Sequence, residues 1–167
     1  VANRGSHTFE VADTQGLRVG QQVEVRLRDT EENTLARHLY SDDPRDSMEK
    51  LNGRTRASLV TYIQAVEGNR ITIVRPLRFD LRPEWQPSIW RFAPTVVDSG
   101  IEELRFEFPN TPYLGHFTEL GFNAFALSQA PHCWVRNVHI HNADSGGFVS
   151  GPFNTVDGLV MTTQRQP

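Results

Sequence analysis

Cysteine and lysine are almost absent from this 167-residue sequence, which has one of each, Cys133 and Lys50. A single cysteine excludes an internal disulfide, and no Cys or His spacing typical of a zinc site occurs. We therefore expect Cys133 to be a small buried apolar residue. The other 16 basic residues are arginines scattered among 20 acids, and the net charge is −3. Because no basic stripe is present, nucleic acid is not an expected partner.

Long apolar runs are missing as well. No stretch of about 18 apolar residues occurs, so the sequence predicts no membrane-spanning helix. The start, VANRGSHTF, lacks the apolar core of a signal peptide, and we expect a processed or excised end that does not indicate localisation. With 38% hydrophobic and 22% charged residues, the chain has enough apolar material to bury a core.

Alternating apolar and polar residues predict four strands within residues 1–80. The strands are TFEV, VEVRL, SLVTYIQAV and RITIVRPL, and the EGN between the last two suits a hairpin turn. We predict that they form a small antiparallel β subdomain. A polar insertion at 29–57 interrupts it, with a short helix predicted in DPRDSMEKL. This insertion is either a solvated excursion or a lid or partner-binding arm.

Residues 81–167 repeat a different pattern. The stretches GIEELRFEF, WVRNVHIHN and TVDGLVMTT share apolar residues spaced i, i+3 and i+5. These residues are Ile101, Leu104 and Phe106; Val135, Val138 and Ile140; and Val156, Leu159 and Met161. A repeat of 21 or 22 residues built from short strands and tight turns is typical of a solenoid. We therefore predict an all-β chain whose second part is a parallel β-helix of about three coils.

The strand period of two determines which side chains of these coils face outward. If Val138 and Ile140 point inward, His139 and His141 point outward. Stacking successive coils then predicts two outer ladders, Arg105–His139–Val160 and Glu107–His141–Thr162. Glu107 and His141 form either a hydrogen-bonded acid–base couple or part of an ordinary exposed strand face with a cross-strand ion pair.

Three stretches, VVDSGIEELRFEF, TPYLGHFTELGFNAFALS and CWVRNVHIHNADSGGF, resemble the pectate-lyase-like superfamily, particularly its large bacterial members. The front portion, GSHTFEVADTQGLRVGQQVEVRL, resembles a strand-rich insertion found beside the first coils in that superfamily. The resemblance covers most of residues 5–163 and implies a right-handed parallel β-helix. It also implies action on acidic polysaccharides by β-elimination or hydrolysis, Ca²⁺ as a candidate cofactor, and an extracellular or periplasmic location.

The candidate catalytic residues follow from polysaccharide chemistry. A polysaccharide lyase needs a base and a cation near the uronate carboxylate, so His139 or His141 is the candidate base and Arg105 or Arg136 the candidate clamp. A glycoside hydrolase needs two carboxylates across a groove. For that reaction the candidates are Glu107 with Asp144 or Asp157.

Weaker candidates lie in the loops. His116 and Glu119 belong to the excursion LGHFTEL, which either reaches over a groove or packs Tyr113, Phe117 and Phe122 on the coil. SDDPRD offers Asp42, Asp43 and Asp46 for calcium but lacks the spacing and glycine of a calcium loop, so we assign no metal site.

The repeat pattern ends after about three coils, whereas members of the superfamily have many more. Stacked repeats need neighbours to bury their faces. We therefore expect either further coils or a homo-oligomer formed through the C-terminal coil. A non-catalytic glycan-binding or structural module, including an oligomerisation module, is the alternative to an enzyme.

Overall fold

The computed structural model describes residues 1–43, 57–115 and 117–164, which belong to two compact units, Val1–Ala93 and Pro94–Pro167. Apart from the helix α1 (Thr34–Leu39) and a 3-10 turn at Pro83–Trp85, the regular elements of the described residues are strands. The all-β class predicted from the sequence is therefore confirmed. No helix in these described ranges is long and apolar enough to cross a membrane.

The first unit is built on a five-stranded antiparallel sheet. Its strands are β1 (Thr8–Glu10), β2 (Gln22–Arg26), β3 (Ser58–Glu67), β4 (Arg70–Ile73) and β5 (Ser88–Arg91), in the spatial order β1-β4-β3-β2-β5. The four predicted strands are present, and β3 and β4 form the predicted hairpin, with Gly68 at φ 62° in its turn. The fifth strand, β5, lies beyond residue 80, where the sequence suggested that the subdomain ends.

The core of this unit contains the inward-facing residues of the strands. Because successive residues of a strand face opposite sides, Val23 and Val25 of β2 and Ile71 and Ile73 of β4 are fully buried. In the insertion, the carboxylate of Asp29 accepts hydrogen bonds from the backbone amides of Leu35 and Ala36, in the first turn of α1. The helix predicted in DPRDSMEKL lies, from its proline onward, outside the described residues.

The second unit is a parallel β-helix. Its strands are β6 (Gly100–Glu102), β7 (Arg105–Glu107), β8 (Asn123–Ser128), β9 (Trp134–Arg136), β10 (His139–His141), β11 (Gly146–Ser150), β12 (Thr155–Asp157) and β13 (Val160–Thr162). They stack into three parallel sheets, ordered β12-β9-β6, β13-β10-β7 and β11-β8. Val135 is paired with both Ile101 and Val156, and Leu127 with Val149, as the repeat predicts.

A left-handed residue forms the same corner in each coil. Glu103, Asn137 and Gly158 separate the first two strands of their coils and have φ values of 55°, 49° and 64°. The Asn137 side chain donates to Glu103 across 2.7 Å, and its backbone amide donates to Asp157 across 3.0 Å. Glycine is needed at 158, because an added Cβ would overlap Asn137. These corners keep β7, β10 and β13 in register.

The β-helix core is complete only in its middle coil. Val135, Val138 and Ile140 are buried, and Ile101, Phe106 and Leu159 pack against them. The sequence predicts that Leu104, Val156 and Met161 are also interior, but these side chains are about half exposed, at 50%, 47% and 54%. They belong to the first and last coils, whose strands are edge strands with one hydrogen-bonded neighbour.

Candidate functional site

The two predicted ladders are present on the sheet formed by β7, β10 and β13. His139 is paired with Arg105 and Val160, and His141 is paired with Glu107 and Thr162. Ile140, between the histidines, is 1% exposed, whereas both histidines reach solvent. The outward orientation of the histidine pair is therefore confirmed, and three coils contribute side chains to one surface.

Hydrogen bonds link Arg105 to His139, and the Thr162 hydroxyl links His139 to His141. Arg105 Nη1 lies 3.3 Å from His139 Nδ1, and His139 Nε2 lies 2.9 Å from the Thr162 hydroxyl. The same hydroxyl lies 2.7 Å from His141 Nδ1, while the two rings are 6.3 Å apart between centroids. We call Arg105, His139, Thr162 and His141 the ladder network.

The contact with Arg105 fixes the order of donor and acceptor at His139. A guanidinium only donates, so His139 Nδ1 accepts, and the neutral His139 ring carries its proton on Nε2. The Thr162 oxygen accepts that proton. Towards His141 Nδ1, the Thr162 hydroxyl can either donate its own hydrogen or accept a second hydrogen bond. Nε2 of His141 is therefore a donor in the first arrangement and an acceptor in the second.

Glu107 bonds to Arg105 and not to His141, its partner in the acid–base couple considered from the sequence. Its carboxylate accepts a hydrogen bond from Arg105 Nε at 3.0 Å, and the two side chains are 62% and 52% exposed. His141 is bonded to Thr162 instead. Glu107 therefore orients the guanidinium, and the face combines one cation, one carboxylate and two imidazoles in contact with water.

The other candidates lie away from this network. Arg136 is on β9, in register between Glu102 and Asp157, and its guanidinium lies 5.6 Å from the Trp134 ring centroid. Asp157 and Glu107 belong to different sheets. Asp144 accepts a hydrogen bond from the backbone amide of Phe122 at 2.7 Å, a contact that fixes a loop.

The excursion after β7 is only partly packed. Phe122 stacks on Phe108 with 5.5 Å between centroids, as expected, but Phe117 is 90% exposed, contrary to the packing alternative. Glu119 accepts a hydrogen bond from the Tyr113 hydroxyl at 3.4 Å. Desolvation, and then the charge of Glu119, raise the pKa of Tyr113. His116 lies outside the described residues.

No metal cluster is found among the residues that the structure describes, and the single thiol is buried. Within the described ranges, no group of three or more His, Cys, Asp or Glu side chains could hold a metal ion. Asp42 and Asp43 are exposed, and Asp46 is not described. The described residues therefore do not fit the Ca²⁺ implied by the resemblance. Cys133 is buried, as predicted.

Thr162 is the residue that the sequence did not identify as part of the site. The repeat placed it beside His141, but no sequence signal indicated that its hydroxyl also contacts His139 on the neighbouring strand position. This diagonal contact depends on the side-chain rotamers, which the register does not determine. The threonine links the two histidines, whose rings are too far apart to bond directly.

Two solved structures have the same fold as this chain. The tailspike protein gp49 from Pseudomonas phage LKA1 matches 98% of this chain with a TM-score of 0.52 and 16% identity, over 29% of its own length. The Gp54 tailspike of Acinetobacter baumannii bacteriophage AP22, in complex with A. baumannii capsular saccharide, matches 95% with a TM-score of 0.50 and 10% identity, over 36% of its length. At these identities the likeness concerns the fold alone. No family model and no curated protein matches the sequence.

Proposed function

We propose that this chain is part of a parallel β-helix protein that binds an acidic polysaccharide, and that the ladder network contacts the sugar. The observation that carries the proposal is the fold shared with a tailspike that was solved with a capsular saccharide. The chain spans about a third of the length of the two matched structures, so the proposal concerns this portion. Membership of the pectate-lyase-like superfamily is part of the same proposal.

The polar groups of the ladder network suit a uronate. Arg105 can bind a carboxylate through two parallel hydrogen bonds, and Nε2 of His141 can donate to or accept from a sugar hydroxyl. Arg105 must first release Glu107, but exposed ion pairs contribute only about 0–1 kcal/mol. A saccharide carboxylate can therefore displace Glu107 at little cost.

Binding without chemistry is the better-supported form of this proposal. A β-elimination needs an unprotonated imidazole nitrogen directed at the substrate. In the ladder network both nitrogens of His139 are engaged, so the candidate base is Nε2 of His141, which is unprotonated in the neutral ring only when Nδ1 donates to Thr162. Lyase activity would require that arrangement, whereas hydrolysis would require Glu107 to face a second carboxylate. We therefore regard a lyase or a hydrolase as less well supported than a non-catalytic binding module.

A glycan panel tests the proposal. Acidic polysaccharides and their neutral, methyl-esterified forms would be compared for binding to the full chain, and the reaction mixtures would be followed for unsaturated products by ultraviolet absorbance. We expect binding of the acidic forms with little or no product. Equal binding of the neutral forms would contradict the acidic specificity, and rapid product formation would favour the lyase.

Association through the last coil is a second candidate function. Val156, Val160 and Met161 are 47%, 53% and 54% exposed on adjacent edge strands. Apolar rows and open strand edges favour pairing with another coil or chain. Light scattering tests this, because a concentration-independent monomer would argue against self-association.

A further inference from the structure

A cleft in the first unit is lined by three arginines and by no acid. It has a volume of about 450 Å³ and is formed by Arg4, Gly5, Arg75, Pro76, Leu77 and Arg78. We call it the arginine cleft. A lining with basic groups alone contrasts with the net charge of −3 of the chain.

Backbone hydrogen bonds hold the two sides of the arginine cleft together. The amide of Gly5 donates to the Leu77 carbonyl, and the amide of Leu77 donates to the Ser6 carbonyl, both at 2.8 Å. Arg75 is anchored by a hydrogen bond from its Nη1 to the carbonyl of Val60 at 3.1 Å. The arginines therefore project from two main-chain segments whose separation is fixed.

The neighbouring carboxylate does not neutralise the arginine cleft. Asp80 accepts from the backbone amide of Arg4 at 2.8 Å, and its other oxygen lies 3.1 Å from Arg82 and 3.5 Å from His38. Among the described residues, no ion pair involves the guanidinium of Arg4 or of Arg78.

The charges within the cleft are also unfavourable to one another. Burial lowers the pKa of Arg75, and the positive charge of Arg78 lowers it further. An anion in the cleft would offset both effects, because it would replace lost hydration and reduce the repulsion. The lining of the cleft and the spacing of its two main-chain segments therefore favour a negative group.

We propose that the arginine cleft binds the carboxylate of an acidic saccharide. Guanidinium groups bind carboxylates and other oxyanions through paired, charge-assisted hydrogen bonds. The oxyanion chemistry follows from the three arginines, whereas the saccharide as its source rests on the proposed function. The cleft belongs to the first unit and the ladder network to the second, so the two sites can be tested separately.

Calorimetry on the full chain tests the proposal, with a uronate oligosaccharide and inorganic sulfate as separate ligands. Arg4→Gln and Arg78→Gln remove exposed guanidiniums that make no ion pair in the described structure. Arg70→Gln makes the same charge change on β4, outside the cleft. We expect each cleft variant to weaken uronate binding about threefold to tenfold, and Arg70→Gln to leave it unchanged. Unchanged thermal midpoints would exclude unfolding as the cause.

A ladder variant, Arg105→Gln, separates the cleft from the proposed function. Weaker uronate binding in the cleft variants supports the arginine cleft, whether or not Arg105→Gln also weakens it. Wild-type affinity in both cleft variants overturns the arginine cleft, and a loss in Arg105→Gln alone would then leave the ladder proposal intact. An equal loss in Arg70→Gln, or binding of sulfate without binding of the uronate, overturns the assignment to a saccharide.

Discussion

Replacing Thr162 with valine should disconnect the two histidines while keeping the shape of the strand. Valine is close in shape to threonine, so the loss is that of two hydrogen bonds, at 2.9 Å and 2.7 Å. A neutral hydrogen bond contributes about 0.5–1.5 kcal/mol net, which changes a tautomer ratio by about twofold to tenfold. Because these groups are partly solvated, we expect the lower half of that range for each bond, and a fall in the free energy of unfolding of about 1–2 kcal/mol for the two bonds together.

Nitrogen-15 NMR of the imidazoles measures this effect directly. In the wild type, the neutral His139 ring should carry its proton on Nε2, and Thr162→Val should shift that population toward the other tautomer. Thr155→Val, on β12 in a different sheet, is the matched control and should change neither ring. An Nδ1–H tautomer of His139 in the wild type would refute the assigned order of donors and acceptors.

Three further predictions concern the fold and its surface. Gly158→Ala should lower the free energy of unfolding by about 1–2 kcal/mol, because the left-handed corner disfavours a Cβ; an unchanged thermal midpoint would oppose this. Met161→Asp should reduce self-association in light scattering with little effect on stability, and undiminished association would exclude the last coil as the contact. A hydrogen bond from the Arg4 backbone amide, and then Arg82, lower the pKa of Asp80. The ionised Asp80 carboxylate therefore stabilises the fold above the usual aspartate pKa, and this stabilisation is lost as the pH falls through the lowered pKa. Asp80→Asn should destabilise the chain at neutral pH and match the wild type in acid, and a constant difference across that range would argue against this linkage.

The coil register was predictable from the sequence because it depends on simple periodicities. Val135, Val138 and Ile140 recur one coil later after 21 residues, and a strand can bury only alternate positions. The pairing of His139 with Val160, 21 residues later, therefore followed from counting. Four strands of the first unit were also predictable, because apolar and polar residues alternate along part of each.

Side-chain bonding was less predictable than register. Glu107 neighbours both Arg105 along its strand and His141 across the sheet, and sequence spacing does not decide between them. The guanidinium forms the bond because a charged donor is stronger than a neutral imidazole. The arginine cleft was missed because Arg4 and Arg75 are far apart in sequence and meet only through the pairing of the chain around Gly5 and Leu77.

Binding of an acidic saccharide at the ladder network is the central claim, and an NMR titration tests it most directly. Backbone amide shifts of the full chain would be recorded with a uronate oligosaccharide and with its methyl ester. We expect the acid to shift the amides of β7, β10 and β13, with the largest changes at Arg105 and His141, and the ester to shift them little. Unchanged amides in all three strands at saturating acid would contradict the claim.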